Sequence, residues 1–428
     1  MKLHSTKNNN NLINFNDAIF NSLPSDNGLF VPSIIPQLSA NFINNMHNMS
    51  MQQIAMEVCS LLLDNEIPKN ALELIIKNSI NFAAPLIKLT DNLYTIELFH
   101  GPSLAFKDFG ARFMAQIMAY YLSKTENRKI TILVATSGDT GSAVAQAFLG
   151  IKNINVYILY PSNKITYIQE QQLTTLGENI TALEVEGTFD DCQRMVKEAF
   201  LDTNLCRELS LTSANSINIA RLIPQTFYYF YAYAQLNKKN TVISVPSGNF
   251  GNLCAGILAK KMGLPITMFI AATNINDIIP KYLASGKFDP QPSKKTIANA
   301  MDVGNPSNFQ RLSYFYDNNL DKIREEIVGY SYSDSQIRDA IQYVYQTYNY
   351  TMDPHGAVAY LALSQYQDKH SCNGIFLETA HPAKFFEEIE TILNKKIELP
   401  RHLVDILNKS KKSKKIAPNI DALKKVLE

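Results

Sequence analysis

The stretch "HGPSLAFKDFGARFMA" places a single lysine, Lys107, between two patterned segments. Leu93–Phe99 alternates in polarity as a strand does, and Phe109 and Phe113 begin the three-to-four spacing of a buried helix face. Lys107 is therefore predicted in the first turn of a helix, where the helix dipole disfavours a cation. That position and a partly desolvated cleft lower the pKa of an amine, and a neutral amine attacks aldehydes. The alternative is a surface lysine in a loop.

A second group of residues suits a phosphate. In "PSGNFGN", directly after the apolar run "TVISV", Gly248 and Gly251 let the backbone come close to a ligand. The following helix offers unpaired amides and its positive dipole end. The loop matches neither the nucleotide pattern G-x-x-x-x-G-K-[ST] nor the dinucleotide pattern G-x-G-x-x-G, and a tight turn is the alternative. Pyridoxal phosphate carries both an aldehyde and a phosphate, so Lys107 and this loop together fit it.

Two more polar loops follow apolar runs. "ATSGDTGSA", Ala135–Ala143, offers hydroxyls and amides that suit a carboxylate or phosphate; alternatively Ser137, Asp139 or Thr140 is a helix N-cap. "ETAHPAKF" follows "GIFL" near the C-terminal end. Because ligands bind at the carboxyl ends of parallel strands, we expect these loops to meet at one edge of a sheet.

The elements that must position these loops alternate between strand and helix. From about residue 94, apolar runs such as "TILVAT", "VYILYP" and "TVISVP" each precede an amphipathic stretch, which predicts an α/β fold with two parallel-sheet layers. Residues 1–85 are expected to form a mostly helical N-terminal domain. Residues 86–428 are expected to form the catalytic region, with a smaller subdomain at roughly 111–225. The aromatic stretch "TFYYFYAYAQL" is expected in the core.

Composition excludes several partner classes. The 428 residues are 46% hydrophobic and 18% charged, and 40 basic and 39 acidic residues leave a charge of +1. This balance favours neither nucleic acid nor an acidic membrane surface. We expect no signal peptide, no membrane span and no metal site. The scattered cysteines predict free thiols in a reducing cytoplasm. The basic run "LNKSKKSKK" is expected to be a solvated loop.

Several segments resemble the threonine synthase family, in order and over nearly the whole chain. They are "ELFHGPSLAFKDFGARFMAQ", "ATSGDTGSAVAQAF", "SANSINIARL", "SVPSGNFGNLCAG", "FIAATNINDIIP", "NAMDVGNPSNF", "DPHGAVAY" and "TAHPAKF". The resemblance is to the bacterial and yeast type with its own N-terminal domain. It implies the tryptophan-synthase-like fold of pyridoxal phosphate enzymes, fold type II. It also implies conversion of O-phospho-L-homoserine and water to L-threonine and phosphate by γ-elimination and β-addition, and a monomer.

The resemblance also implies residue roles. Lys107 takes the Schiff-base position, and Thr379 takes the position of the hydroxyl that meets the pyridine nitrogen. Asp139 stands beside the cofactor, where many relatives of the wider fold have asparagine; two anionic oxygens would repel there unless one is protonated. The cofactor phosphate is expected at Gly248, Asn249, Phe250, Gly251 and Asn252, and the substrate carboxylate at Thr136, Ser137, Gly138 and Thr140.

The phosphate of the substrate needs a second anion site. The candidates are Lys164, Ser213, Asn215, Asn218 and Arg221. An ordinary salt bridge on a helix surface is the alternative for Arg221. His355 is interpreted as structural, and His381 and Lys384 stay unassigned. Another enzyme of the same fold, such as a threonine dehydratase or cysteine synthase, and a relative without activity are the competing functions.

Overall fold

The structure, a computed structural model, describes residues 1–64, 66–125 and 128–427. In these ranges no helix has the length and apolar character needed to cross a bilayer. They also contain no group of three or more His, Cys, Asp or Glu side chains placed to hold a metal ion.

The first eighty residues form a mostly helical unit that also contains a small antiparallel sheet with strand order β2-β1-β3. The prediction missed this sheet because its longest strand, "NNNNLIN", is polar and almost wholly exposed. Its strands are β1 Lys2–Ser5, β2 Asn8–Asn14 and β3 Phe30–Pro32, and its helices are α1 Phe15–Asn21, α2 Ala40–Asn45, α3 Met51–Leu63 and α4 Lys69–Ser79, with a 3-10 turn at Met46–Asn48.

The rest of the chain contains two further sheets, as the alternating pattern predicts. Their strands are β4 Leu86–Lys88, β5 Leu93–Glu97, β6 Ile130–Ala135, β7 Ile154–Pro161, β8 Ile180–Val185, β9 Leu211–Ser213, β10 Thr241–Pro246, β11 Ile266–Thr273, β12 Ile327–Ser331, β13 Asn373–Glu378 and β14 Ser413–Ile416. The larger sheet has the order β12-β11-β10-β13-β5-β4 and the smaller one β14-β8-β7-β6-β9. All neighbours are parallel except β4, which pairs antiparallel to β5.

Helices cover both faces of these sheets, which is why most strands are buried throughout. They are α5 Lys107–Leu122, α6 Asp139–Phe148, α7 Tyr167–Thr174, α8 Phe189–Leu201, α9 Thr203–Leu209, α10 Ile219–Leu222, α11 Gln225–Leu236, α12 Gly251–Lys261, α13 Ile278–Ser285, α14 Phe309–Phe315, α15 Leu320–Glu326, α16 Asp334–Tyr348, α17 Pro354–Gln367, α18 Phe386–Leu393, α19 Arg401–Leu407 and α20 Ile420–Leu427, with 3-10 turns at Asn299–Met301 and Pro382–Phe385.

One apolar core joins the N-terminal unit to both sheets. The aromatic helix α11 lies in its middle, with Phe227, Tyr228, Tyr229 and Phe230 fully buried. This confirms that "TFYYFYAYAQL" is a core segment.

The basic run near the C-terminus corrects an expectation. It was expected to be a solvated loop, but Ser413–Ile416 is the edge strand β14, which pairs parallel to β8. Lys411 forms ion pairs with Glu170 and Glu184 at 2.6 and 2.7 Å. The seven residues 409–415 are all lysine or serine and carry no apolar alternation, so the local pattern does not indicate a strand. Pairing with β8 and the ion pairs with Glu170 and Glu184 make a strand favourable here.

Candidate active site

Four loops at the carboxyl ends of strands meet around one cleft. The cleft has a volume of about 890 Å³, including its opening to solvent. β5 leads through a turn to Lys107, β6 to the 136–140 loop, β10 to the 247–252 loop, and β13 to Thr379. The convergence follows from the parallel sheets, whose strands all end on the same side.

Lys107 is the first residue of α5 and lines the cleft. Desolvation lowers the pKa of its amine from 10.5 to about 8; nearby Asp139 opposes the shift, and the positive charges of Arg221 and Lys384 add to it. No ion pair within 4 Å is formed by Lys107 in the described ranges. The side chain is therefore an amine with access to the cleft and an unusually large neutral fraction near neutral pH.

Arg221 lies beside α5, and a glycine makes room for it. A Cβ atom on Gly110 would lie 2.7 Å from the Nε of Arg221. The guanidinium is 3% exposed and lines the cleft, and one of its terminal amino groups donates to the carbonyl of Ala214. Among the described atoms, its buried Nε has no hydrogen-bond partner. Burial lowers the pKa of Arg221 to about 10, and Asp108 opposes this. The site thus holds a buried cation whose Nε–H has no acceptor among the described residues.

The 247–252 loop is built for a close approach to the backbone. A Cβ on Gly248 would lie 2.8 Å from the Cα of Met301 and 2.9 Å from the carbonyl of Ala300. Phe250 has a φ of 61°, a left-handed conformation that turns the chain into α12 at Gly251. All five residues from 248 to 252 line the cleft. The amides of the first turn of α12 have no partners within the helix, so they suit an anion.

Asn252 anchors this loop to the aromatic helix α11. Its side-chain oxygen accepts hydrogen bonds from Tyr228 and Tyr229 at 2.6 and 2.7 Å. Its buried Nδ2 has no hydrogen-bond partner in the described residues. The carboxamide of Asn249 is also engaged, since its oxygen accepts from the amide and the hydroxyl of Ser307, both at 3.1 Å. The aromatic core helix therefore fixes one wall of the cleft.

The N-terminus of α6, in the 136–140 loop, is not capped by the residues that the sequence offers as N-caps. Gly138 is the N-cap of α6 and makes no side-chain cap, so capping by Ser137, Asp139 or Thr140 is wrong. Instead the hydroxyl of Thr136 accepts from the amides of Gly138 and Gly141 at 2.9 and 2.8 Å. The φ of Gly138 is 133°, which only glycine adopts readily, and the capping hydroxyl comes from Thr136, two residues before it. Thr136, Ser137 and Thr140 line the cleft.

The carboxylate of Asp139 pairs with Lys384 instead of lining the cleft. Its Oδ1 lies 2.7 Å from the Nζ of Lys384 and accepts from the Nε2 of Gln169 at 2.9 Å. Although burial opposes ionisation, Lys384 and Lys107 hold the pKa of Asp139 below its usual value. Asp139 is absent from the cleft lining, which includes its neighbours Ser137 and Thr140. A buried ion pair therefore stands directly behind the wall of the cleft.

Thr379 follows β13 directly and lines the cleft on the side of Lys107. Its carbonyl accepts from the amide of Phe106 at 2.9 Å, so it is tied to the turn that precedes Lys107. Glu378, one residue earlier, is fully buried under the start of α17. Burial and the adjacent Asp353 raise the pKa of Glu378 well above its usual value.

Comparison with known proteins decides the family. Residues 84–374 match the family model described as "Pyridoxal-phosphate dependent enzyme", and residues 2–80 and 356–427 match "Threonine synthase N terminus" and "Threonine synthase, C-terminal". The threonine synthase of Haemophilus influenzae is 48% identical over 94% of both chains. The chain belongs to the threonine synthase family.

Solved structures of threonine synthases agree with the fold over its whole length. The crystal structure of the Escherichia coli protein superposes with a TM-score of 0.93 at 41% identity, covering 100% of this chain and 99% of that one. A threonine synthase from Brucella melitensis, solved with pyridoxal phosphate bound, gives a TM-score of 0.93 at 33% identity, with coverages of 100% and 98%. The predicted fold class is confirmed.

The substrate-phosphate candidates separate in this threonine synthase-family site. Asn215 and Arg221 line the cleft. Lys164 is an exposed loop residue outside the lining, and Ser213 is buried at the end of β9, where its hydroxyl accepts from the amide of Asn215. Asn218 is the N-cap of α10, and its amide group donates to the carbonyls of Ile19 and Ser213. The sequence spacing placed all five near the cleft, but burial and hydrogen bonding leave two of them facing it.

His355 was assigned only a structural role from the sequence, and Lys384 was assigned none. His355 lines the cleft; its Nδ1 hydrogen-bonds to Asp353, and its Nε2 accepts from the amide of Ala300 at 3.2 Å. It thus braces the segment that packs on Gly248, in line with the structural interpretation. Lys384 is fully buried beside Asp139. A lysine within an apolar, Pro-containing turn was the signal that could have found it, since buried lysines occur almost only where they are paired.

The residues present fit pyridoxal phosphate. A reactive amine, a backbone cradle that a Cβ would fill, and buried donors without partners at Arg221 and Asn252 all belong to residues that line one cleft. These are the groups that an aldehyde with a phosphate and an attached amino-acid substrate would satisfy. The family is accordingly dependent on this cofactor.

Proposed function

We propose that this chain converts O-phospho-L-homoserine and water to L-threonine and phosphate. The proposal is supported by the amine of Lys107 in a cleft whose lining offers two sets of groups suited to anions, the amides of the 248–252 loop and the guanidinium of Arg221. A reaction that uses a phosphate-bearing cofactor and expels a phosphate from its substrate needs two such walls. The names of the relatives in Haemophilus influenzae and Escherichia coli support the same activity.

The cofactor would be held at three points. The amides at 248–252 would bind its phosphate, Lys107 would bind its aldehyde carbon, and the hydroxyl of Thr379 would meet its ring nitrogen. When bound, it withdraws electrons from the α-carbon of the substrate and so makes the adjacent C–H bonds acidic. Asp139 would act from behind the wall through its pair with Lys384, and Gly138 through the backbone shape of the loop.

Lys107 would then serve as the base. With substrate bound, the amine of Lys107 would accept the α-proton of the substrate, and Lys107 would hold the cofactor again after the product has left. A lowered pKa keeps the amine able to accept that proton near neutral pH. Thr136, Ser137 and Thr140, at the start of α6, would hold the substrate carboxylate and so fix the α-carbon beside Lys107.

The phosphate of the substrate would lie against Arg221 and Asn215. Phosphate departs with growing negative charge, which a buried guanidinium stabilises more strongly than an exposed lysine does. Lys164, Ser213 and Asn218 would contribute at most through the shape of the loop and the long-range field, because none of them lines the cleft.

We further propose that the protein is a cytoplasmic monomer. All five cysteines are free in the structure, as suits a reducing compartment. Size-exclusion chromatography with light scattering tests the oligomeric state, and a dimer mass would overturn it.

Isotope transfer tests the activity. The cofactor-loaded protein is given O-phospho-L-homoserine in ¹⁸O-labelled water, and threonine and phosphate are analysed by mass spectrometry. We expect equal amounts of both products, with the label in the threonine hydroxyl and none in the phosphate, since the carbon–oxygen bond breaks. Label in the phosphate would show simple phosphate-ester hydrolysis. In a parallel incubation with threonine or serine in place of phosphohomoserine, formation of an oxo acid would identify a dehydratase.

A further inference from the structure

Lys384 is a buried lysine placed close to the reactive one. It lies in the 3-10 turn Pro382–Phe385, shortly after Thr379, and is fully buried. Its Nζ is 2.7 Å from Asp139 Oδ1 and donates to the carbonyl of Ser103 at 2.8 Å. Desolvating an ammonium group costs several kcal/mol unless it is paired, so an arrangement of this kind needs a compensating role or partner.

Asp139 is the partner that Lys384 engages. It is 4% exposed at the start of α6, and its Oδ1 also accepts from Gln169 on α7. The pair therefore connects the turn after β13 in the larger sheet to two helices of the smaller one. The unusual feature of this ion pair is its position between the two sheets, and not the strength of the interaction.

Lys107 and Lys384 compete for the same carboxylate. Asp139 favours the charged form of Lys107, whereas Lys384 and Arg221 disfavour it. On α5 itself Asp108 is the nearest acid, and its pKa is raised to about 6 by burial, against the hydrogen bond from Ser103 and the charges of Lys384 and Arg112. Asp139 is thus the carboxylate that would pair with Lys107 if nothing else held it.

We propose that Lys384 is a positioning residue that holds the Asp139 carboxylate away from Lys107, so that the Lys107 amine remains free to attack the cofactor. In this arrangement the ion pair presents little net charge to Lys107. Without Lys384, the carboxylate and Lys107 would form the ion pair, and the amine would stay protonated and bound. The inference refines the proposed use of Lys107, but it concerns the cofactor-free protein as well.

The titration of Lys107 in cofactor-free protein tests this. The protein is labelled competitively with acetic anhydride over a range of pH, and the Lys107 peptide is quantified by mass spectrometry. Wild type should show a midpoint of about 8. Lys384→Met should raise the midpoint by about one unit or more and reduce labelling at pH 7 about tenfold, because an unpaired carboxylate nearby shifts a lysine by that much. Lys384→Arg, which keeps the charge, should stay near wild type.

Two further variants separate this role from plain structural support. Adding Asp139→Asn to Lys384→Met removes both charges, so the midpoint should return to within about half a unit of wild type. Lys369→Met, at an exposed lysine, should leave it unchanged. An unchanged midpoint in Lys384→Met, or a raised one in the double variant, overturns the proposal.

The test remains decisive if Lys384→Met does not fold. The double variant, in which neither charge is left, is then compared with wild type. Midpoints within about half a unit of each other would support the proposal, because the ion pair would then present little net charge to Lys107. A midpoint lower by about a unit or more in the double variant would show that Asp139 acts on Lys107 in spite of Lys384, and would overturn it. Because no substrate is used, failure of this inference is distinct from failure of the proposed activity, which the isotope experiment decides.

Discussion

The two walls of the cleft take their polar groups from different parts of the chain. The 248–252 wall offers backbone amides, shaped by Gly248 and by the left-handed Phe250, and the tyrosines behind it carry no charge. The second wall holds Lys107, Arg221 and, behind the lining, the pair of Asp139 with Lys384. Backbone amides bind an anion at fixed geometry without a buried counter-charge, so this wall suits a ligand that stays bound.

The charged wall suits groups that change during a reaction. Amines, guanidinium groups and carboxylates alter their protonation or partners as charge develops, and burial makes each such change large. The difference supports the proposed division of labour, in which the cofactor phosphate would lie on the backbone wall and the departing phosphate on the charged wall. Three substitutions test this division, and a fourth tests the buried acid that precedes Thr379.

Removal of the Lys107 amine should have the largest effect. Lys107→Ala takes away both the attachment point and the base, so turnover should fall by at least about 10³-fold. Borohydride reduction of the loaded protein followed by peptide mass spectrometry should find the cofactor on Lys107 in wild type and on no lysine in the variant. Labelling at another lysine would move the reactive centre off this wall.

A methyl group on the backbone wall should come next. Gly248→Ala places a Cβ 2.8 Å from the Cα of Met301, so one of two backbone segments must shift. Such overpacking costs about 1–3 kcal/mol, which predicts a roughly tenfold to hundredfold weaker binding of pyridoxal phosphate. Absorbance titration of cofactor-free protein measures it. An equal loss for phosphohomoserine alone, with normal cofactor binding, would reverse the assignment of the two walls.

Loss of the buried guanidinium should affect only the substrate. Arg221→Met removes a charge-assisted hydrogen bond worth about 1.5–3 kcal/mol, so kcat/KM for phosphohomoserine should fall about tenfold to a hundredfold at near-normal cofactor occupancy. Lys164→Met is the matched comparison at an exposed lysine, where a change of about twofold is expected from screened charge. Equal losses in both variants would extend the phosphate site to the 162–166 loop.

The last substitution should change stability without removing a group from the cleft, because Glu378 is buried outside the cleft lining. Because burial and Asp353 raise the pKa of Glu378, the folded protein keeps a proton that the unfolded chain loses above about pH 4.5. Wild-type stability should therefore fall relative to Glu378→Gln as pH rises above 4.5, by up to about 1.4 kcal/mol per pH unit until the folded pKa is reached. Urea unfolding of both proteins from about pH 4 to 8 measures the difference. Parallel curves would mean that Glu378 ionises freely.

The backbone wall was largely predictable from the sequence. Gly248 and Gly251 after an apolar run indicate a close-approach loop at the end of a buried strand, and the structure has that loop at the end of β10. Lys107 at the start of a helix was predictable for the same reason, since strand and helix periodicity fix where one element gives way to the next. Both features depend on residues adjacent in the chain.

Only the tertiary structure determines which charged residues meet in and behind the charged wall. Lys384 and Asp139 are far apart in the chain, and nothing in either local pattern indicates that they pair. The same holds for the separation of Arg221 from Lys164 and for the strand Ser413–Ile416. The cost of burying a charge, or of leaving a strand edge unpaired, depends on which distant groups arrive beside it. The sequence by itself therefore determined the strand–helix alternation of the catalytic region, the place of Lys107 at the start of a helix and the backbone loop. The arrangement of the two sheets in space determined which charges meet.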